Sequence, residues 1–165
     1  AEYLRRRGEI TSDEPEGGGA YVSVPSWQRT IPQRHRLVAG RCPNCGALNF
    51  PPDGACYDCT DRPDEYERAE LPGTGSVEAV TSIEQGWAPP EFVEQQSKSG
   101  PFVSAVVAFD GPDGEETVSA PTQVVTSGVE EITVGTDVET TIRRIYTQEG
   151  VVRYGFKARV ADARR

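Results

Sequence analysis

The stretch RCPNCGALNFPPDGACYDCT, residues 41–60, holds all four cysteines of the chain. They form two Cys-x-x-Cys pairs, Cys42/Cys45 and Cys56/Cys59, with ten residues between the pairs. Each pair places two sulfurs on one side of a tight turn, and two facing turns supply four thiolates at the corners of a tetrahedron. The spacing therefore predicts a closed structural metal site, with zinc as the first choice and iron as the less favoured alternative.

The two turns differ in the residues around the cysteines. Gly46 follows the first pair and lets the backbone take a positive φ, so that amide groups can point at sulfur. The second turn, CYDCT, lacks the proline and the glycine of the first, and we expect it to be the poorer metal-binding turn. A redox dithiol is the other use of Cys-x-x-Cys, but it needs a low-pKa thiol at a helix N-terminus. No helical pattern follows Cys42 or Cys56.

The C-terminal half of the chain shows β periodicity from Gly73 onward. Five segments carry alternating or β-branched apolar residues and are separated by turn signals such as DGPDGEE at 110–116. These segments are GSVEAVTSIEQ (75–85), PFVSAVVAFD (101–110), ETVSAPTQVV (116–125), TDVETTIRRIYTQEG (136–150) and VVRYGFKARV (151–160). Five strands in so short a span predict a small barrel of the OB-fold type, and no helical period is apparent in this half.

The expected organisation is a mainly β protein in three parts. Residues 1–22 are acidic and glycine-rich and are predicted to be a flexible lead-in. Residues 23–70 are expected to hold a short helix, a strand in RHRLVAG at 34–40 and a rubredoxin-like zinc ribbon, with 61–72 as a connector. We expect Pro25 and Ser26 to start the helix and Pro32 to limit it. Residues 71–165 are expected to form the barrel.

The composition limits the classes of function. The chain has 165 residues, a formal net charge of −9, and 15 arginines against 2 lysines. The negative field repels nucleic-acid backbones and anionic lipid headgroups. The acidic surplus with few lysines fits a salt-loving host, and a GC-rich genome would also favour arginine. The chain contains no apolar run of about 18 residues, and its start, AEYLRRRGEI, lacks the apolar core of a signal peptide. We therefore expect a cytoplasmic protein.

The order of these motifs resembles a family of proteins that join a zinc ribbon to an OB-fold and are associated with acyl-CoA enzymes, long classed as a domain of unknown function. The family pattern is a short helix, L-x-G-x-C-x-x-C-G, F-P-P, a second cysteine pair and G-x-G-x-V. The matching residues are Leu37, Gly40, Cys42, Cys45, Gly46, Phe50, Pro51, Pro52, Cys56, Cys59, Gly73, Gly75 and Val77. The chain departs from the pattern at Asp53, where the family often has a basic residue, and in lacking a proline in the second cysteine turn.

The resemblance implies a non-catalytic accessory or scaffold subunit. In archaea such proteins accompany acetoacetyl-CoA thiolase and 3-hydroxy-3-methylglutaryl-CoA synthase and help to shape the CoA-binding region. On this interpretation Arg34, Arg36 and Arg41 are candidates for contacts with CoA phosphates, since arginine forks suit phosphate, although solvated charges are the ordinary alternative. The sequence itself offers no set of nucleophile, base and orienting residue.

Three aromatic residues are candidates for a partner interface. Trp87 and Phe92 lie in GWAPPEFVEQQ, between the first two predicted barrel strands, where they would either anchor a partner or cover the open end of the barrel. Trp27 would contact either the partner or the ribbon.

Two other functions remain open on the residues alone. Ribbons and OB-folds both bind single-stranded nucleic acid, and the last two predicted strands combine Tyr146, Tyr154 and Phe156 with arginines. A dithiol redox enzyme is the third possibility.

Overall fold

A computed structural model of the chain describes residues 24–125, 132–148 and 151–161, so the predicted lead-in at 1–22 lies outside the described residues. The helices are α1 (Val24–Arg29), α2 (Ile31–Arg36) and α3 (Val93–Ser99), with a 3-10 helix at Pro90–Phe92. The strands are β1 (Val38–Arg41), β2 (Leu48–Asn49), β3 (Glu67–Glu70), β4 (Thr74–Ile83), β5 (Phe102–Asp110), β6 (Thr117–Val125), β7 (Asp137–Gln148) and β8 (Val151–Val160). No helix in the described ranges is both long enough and apolar enough to cross a membrane.

The ribbon is a three-stranded antiparallel sheet in the order β2-β1-β3. Gly40 in the middle strand faces Asn49 on one side and Arg68 on the other. A Cβ atom on Gly40 would lie 2.5 Å from the Cβ atoms of both Pro52 and Tyr66. A side chain is therefore excluded at Gly40, because the Phe-Pro-Pro turn and Tyr66 pack directly on its backbone.

The five predicted barrel strands are confirmed. They close in the order β4-β5-β6-β8-β7, with antiparallel neighbours except for the parallel pair β6–β8. Closure occurs where Gly75 of β4 pairs with Val138 of β7. The core is formed by residues that alternate along the strands and are almost fully buried, among them Val77, Val103, Val107, Phe109 and Ala158. This is the OB-fold arrangement that the sequence predicts.

The expectation that the barrel half lacks a helix is wrong. The segment between β4 and β5 contains the 3-10 helix and α3, and Gln96 is the buried residue of α3. Its amide donates to the carbonyls of Ile83 and Glu84, at 3.1 and 2.8 Å, and accepts from the amide of Gly86 at 3.0 Å. A polar anchor therefore holds this two-turn helix, and such a helix leaves no apolar period in the sequence.

Two expectations for the N-terminal part are also corrected. Pro32 does not end a single helix; it lies in the first turn of α2, where its missing N–H has no role. The strand predicted in RHRLVAG begins only at Val38, because residues 34–36 finish α2 and Leu37 ends it with φ at 49°.

The predicted connector at 61–72 contains a strand. β3 pairs with β1 along its whole length, and Ala69 is its buried residue. The other residues of β3 are charged, so the alternation of apolar and polar residues that predicts a strand is weak in this segment.

The last two strands extend beyond the barrel wall. β7 and β8 pair from Val138↔Val160 to Gln148↔Val151. Only residues 137–139 of β7 pair with β4, and only residues 158–159 of β8 pair with β6. We call residues 140–148 and 151–157 the hairpin arm. α2 packs against β8, and the 3-10 helix packs against β7.

Candidate metal centre and partner surface

The four cysteines form one compact cluster. Their sulfur atoms all lie within 4.8 Å of one another. The Cys42–Cys59 and Cys45–Cys56 sulfurs are 3.8 and 3.6 Å apart. A tetrahedron of sulfurs bound at about 2.3 Å to a central metal has edges of about 3.8 Å. The four residues can therefore hold one metal ion, and four thiolates leave no open position for water or substrate.

The two cysteine turns have the same backbone hydrogen bonds. In the first, Gly46 N donates to Cys42 O at 2.8 Å and Cys42 N donates to Ala47 O at 2.9 Å. In the second, the amides of Thr60 and Cys56 make the equivalent bonds to Cys56 O and Asp61 O. Thr60 accordingly takes φ = 63°, close to the left-handed region that Gly46 occupies at 83°. The second turn thus reaches the same geometry with a β-branched residue in a conformation that disfavours it.

A buried asparagine joins the two turns and was missed by sequence reasoning. Asn49 is 1% exposed. Its amide donates to Ala47 O at 3.0 Å and to Cys56 Sγ at 3.4 Å, and its Oδ1 accepts from Tyr57 N at 2.8 Å. One side chain therefore fixes both turns and touches a ligand sulfur, which is the role that supporting residues play around a metal. Its position between Leu48 and the Phe-Pro-Pro turn gives no signal of this in the sequence.

The hydrogen bonds around Cys56 favour its thiolate. The backbone N–H of Cys59, with the N–H of Asp58 and the amide of Asn49, lowers the pKa of the Cys56 thiol to about 6. The thiolate is the form that binds metal, so these hydrogen bonds favour metal binding at Cys56. In the same turn, burial and the neighbouring thiols raise the pKa of Cys59 to about 12.

The three arginines predicted to contact CoA phosphates lie in different surroundings. Arg34 donates to Thr30 Oγ1 and, at 2.7 Å, to Trp27 O, and burial lowers the pKa of its guanidinium. Arg41 donates to Glu116 and, at 2.7 Å, to Gly46 O. Arg36 is exposed beside a small cavity of about 190 Å³. Two of the three guanidinium groups are thus engaged within the chain.

The three aromatic candidates also differ in their surroundings. The indole of Trp87 is left to solvent, with 82% of the residue exposed. Phe92 packs on Phe102 and Tyr146, with ring centroids 5.8 and 6.1 Å apart. The predicted role of covering the open end of the barrel therefore fits Phe92 better than it fits Trp87.

Trp27 contacts an arginine of the hairpin arm. The Cζ atoms of Arg34 and Arg153 lie 3.3 and 4.3 Å from its ring centroid. Arg153 pairs across the arm with Tyr146, the residue on which Phe92 packs. Trp27 and Phe92 therefore contact the two members of one cross-strand pair, Arg153 and Tyr146.

The hairpin arm exposes apolar side chains that the sequence analysis did not single out. Several large apolar residues on β7 and β8 are at least a third exposed: Ile142, Val151, Val152 and Tyr154. Ile142 lies opposite Phe156, and Val152, Tyr154 and Phe156 alternate along β8, so three of the four share one face of the arm and Val151 lies on the other.

Comparison with known proteins places the chain in a family. The family model described as "ChsH2, rubredoxin-like zinc ribbon domain" matches residues 29–65. A DUF35 domain-containing scaffold protein of Methanocaldococcus jannaschii is 34% identical over 136 residues, which cover 81% of this chain and 87% of the relative. The chain belongs to the DUF35 family. A second DUF35 domain-containing scaffold protein, from Methanothermobacter thermautotrophicus, is 28% identical over 137 residues that cover 82% of this chain and 93% of the relative.

A solved structure supports the fold of this DUF35 protein. A chain of the Ltp2-ChsH2(DUF35) aldolase superposes with a TM-score of 0.57 at 22% identity, over 86% of this chain and 98% of that chain. The match covers ribbon and barrel together, and it confirms that their combination is an established architecture. The predicted zinc-ribbon family is likewise confirmed.

Proposed function

We propose that this DUF35 protein is a non-catalytic accessory subunit of a thiolase-superfamily enzyme, acetoacetyl-CoA thiolase or 3-hydroxy-3-methylglutaryl-CoA synthase or both, and helps to form the enzyme's CoA site. The observation that carries the proposal is the 34% identity, over 81% of the chain, to a relative described as a scaffold protein. The Ltp2-ChsH2(DUF35) aldolase shows by its name that a protein of this fold is part of an enzyme assembly. The complex would be cytoplasmic.

The metal in this proposal is a structural Zn²⁺ held by Cys42, Cys45, Cys56 and Cys59. Zinc suits four thiolates in a tetrahedron and supplies folding energy to a small ribbon. Asn49 orients Cys56 and keeps the two turns in register. The metal centre therefore keeps β1, the central strand of the ribbon, in a fixed position. The last residue of β1 contacts the barrel.

Trp87 is the residue we propose as the main anchor for the partner. Large aromatic residues at the centre of an interface carry much of the binding energy. A tryptophan with 82% of its surface exposed has a large unfavourable contact with water, which a partner would remove. Ile142, Val152 and Tyr154, which share one face of the hairpin arm, are proposed as a second apolar contact with the partner.

Arg36 is the arginine we propose for contact with a CoA phosphate. Its guanidinium is exposed, whereas Arg34 and Arg41 already donate to acceptors within the chain. The small cavity beside Arg36 is also lined by Leu37, Gly73 and Phe156.

Purification of the tagged full chain from its host, at high salt, tests the proposal. We expect a thiolase-superfamily enzyme to copurify in fixed stoichiometry and to rebind the purified chain. Trp87→Ala should weaken the rebinding by at least about thirtyfold, since hot-spot truncations cost about 2 kcal/mol or more. Tyr57→Ala is the matched control, because Tyr57 is an aromatic residue of the ribbon that is 68% exposed.

Two results would overturn the proposal. One is a chain that purifies alone and does not bind the host's thiolase-superfamily enzymes. The other is a chain that carries nucleic acid, which would favour the single-strand-binding alternative and its strong salt dependence.

A further inference from the structure

A cavity of about 650 Å³ lies between α3 and the hairpin arm, where β8 separates from β6. It is much larger than the cavity beside Arg36, and the metal cluster does not border it. Its wall has an apolar part, which includes Phe102, Val124 and Ile145. Tyr146 adds an aromatic ring.

Lys157 is the most unusual residue of this wall. It is buried, with 6% exposed, yet its Nζ has only one polar contact in the described part of the chain, Gln95 Oε1 at 3.4 Å. No carboxylate lies within ion-pair distance of it among the described residues. A buried ammonium without a counter-charge is expensive to maintain. Burial, followed by the charges of Arg143 and Arg144, lowers the pKa of Lys157 to about 8.

The charged residues of the wall leave the cavity cationic, because four cations outnumber two carboxylates: Lys98, Arg143, Arg144 and Lys157 against Glu91 and Glu94. Glu94 accepts from Lys98 at 2.6 Å and from Arg144 at 3.0 Å, so one carboxylate serves two cations. Within the described part of the chain, Arg143 donates to Thr141 Oγ1 and Ile142 O, which are neutral acceptors. The chain as a whole has a net charge of −9 and only two lysines, and both line this cavity. The local surplus of cations favours an anion in this cavity, against the net negative charge of the rest of the chain.

Two further polar side chains on the wall have an atom without a hydrogen-bond partner among residues 24–125, 132–148 and 151–161. Gln123 Oε1 and Thr147 Oγ1 are buried without a hydrogen bond. Buried polar groups are almost always paired, and the side chains left unpaired in native proteins call for an explanation such as a bound ligand. A hydroxyl that turns, or an amide that turns its NH2 group inward, is a donor to an anion.

We propose that this cavity binds a small oxyanion attached to an apolar group, with Lys157 and Arg143 at the oxyanion and Phe102 and Ile145 at the apolar part. The site belongs to this chain alone, so the proposal does not rest on the accessory-subunit function. A carboxylate and a phosphate monoester share this chemistry. The two uncompensated cations favour the phosphate, because it carries close to two negative charges near neutral pH.

Calorimetric titration of the metal-loaded full chain tests the site. The probes are phenyl phosphate and benzoate, with benzyl alcohol as the uncharged control. We expect saturable binding of phenyl phosphate at one site, weaker binding of benzoate and no binding of benzyl alcohol. Lys157→Met should weaken phenyl phosphate binding by at least about tenfold, because the bound oxyanion loses a buried charge partner. Arg68→Gln, an exposed arginine of the ribbon paired with Glu70, should change nothing.

Protection of the lysine amine gives a second readout that does not need a variant. Acetic anhydride modifies the two lysines, and peptide mass spectrometry distinguishes them. Phenyl phosphate should slow acetylation of Lys157 more than that of Lys98, which lines the same cavity but has a side chain that is 69% exposed. Equal affinity of the wild-type and Lys157→Met proteins, or acetylation of Lys157 that phenyl phosphate does not slow, would overturn the proposal.

Discussion

Arg41 at the end of the ribbon's central strand donates to both carboxylate oxygens of Glu116, which precedes barrel strand β6. The same guanidinium donates to Gly46 O in the first cysteine turn. The hydrogen bond to Glu116, with the charges of nearby carboxylates, raises the pKa of Arg41. A single side chain thus connects the metal-binding turn to the barrel.

The Arg41–Glu116 pair should stabilise the junction measurably. The two side chains are 31% and 33% exposed, so solvent screens the pair only in part. In a double-mutant cycle with Arg41→Met and Glu116→Gln, we expect a coupling free energy of about 1 kcal/mol in urea unfolding, reduced by salt. The exposed pair Arg68–Glu70 is the control and should show coupling near zero. Zero coupling at Arg41–Glu116 would show that the contact does not join the two parts.

The metal centre predicts the reactivity of all four thiols. Although Cys45 is exposed, we expect it to react with a thiol reagent as slowly as buried Cys42 and Cys56, because a metal holds every sulfur. After a chelator is added, all four should react and the unfolding temperature should fall. Elemental analysis should give one zinc per chain. A Cys45 that reacts fully without chelator would contradict a closed site and favour a dithiol.

Asn49 should be the most sensitive residue near the metal apart from its ligands. Asn49→Ala leaves Tyr57 N without its buried acceptor and removes a donor to Cys56 Sγ. We expect it to lower the free energy of unfolding by about 2 kcal/mol and to weaken metal binding about tenfold or more in a competition titration. Asn44→Ala is the control, since exposed Asn44 makes one bond, at 3.2 Å, to Asp61. Similar losses for both variants would contradict the role given to Asn49.

The backbone of the two cysteine turns predicts opposite effects of substitution. Gly46→Ala adds a Cβ that meets nothing within 4 Å, so its cost is the left-handed backbone alone, about 1 kcal/mol. Thr60→Asn should stabilise the protein by about 0.5 kcal/mol, because asparagine tolerates φ near 63° better than threonine does. Both are measured by denaturant unfolding with metal bound. Destabilisation by Thr60→Asn would mean that the threonine side chain has a separate role.

Lys157 should make stability rise with pH in the alkaline range. Its pKa is about 8 in the folded state and 10.5 as the ordinary value. Between these values the unfolded chain binds the proton and the folded chain does not, so the free energy of unfolding increases with pH. Below pH 8 both states are protonated and the penalty of burial is present in full. Arg143, Arg144, Lys98, Glu91 and Glu94 are the other charged residues that line this cavity.

The Lys157→Met variant isolates this effect. At pH 7 we expect it to be more stable than the wild type by roughly 1–3 kcal/mol, and the difference should shrink toward pH 10.5. The measurement is urea unfolding of both proteins at several pH values. A stability difference that does not change with pH would show that the charged form of Lys157 does not destabilise the folded protein.

The ribbon and the barrel could be predicted because short-range patterns specify them. The cysteine spacing alone indicates four sulfurs at one centre, and five alternating segments with turns between them indicate a small barrel. Two glycines agree with these predictions. Other residues pack directly on the backbone of Gly40, and Gly46 takes a positive φ.

The parts that escaped prediction depend on contacts between distant residues. α3 is held by the polar side chain of Gln96, and β3 by a backbone ladder with Ala69 as its buried residue. Neither leaves an apolar period. Asn49 and Lys157 look like ordinary polar residues until the fold buries them.

Binding of CoA to the host's thiolase-superfamily enzyme, measured by calorimetry with and without this chain, is the experiment that matters most. If the chain is an accessory subunit that completes the CoA site, it should form a stable complex with the enzyme and tighten CoA binding by at least about tenfold, which corresponds to a coupling free energy of about 1.4 kcal/mol. An enzyme that binds CoA equally well alone, and that forms no complex with the metal-loaded chain, would contradict the proposed function.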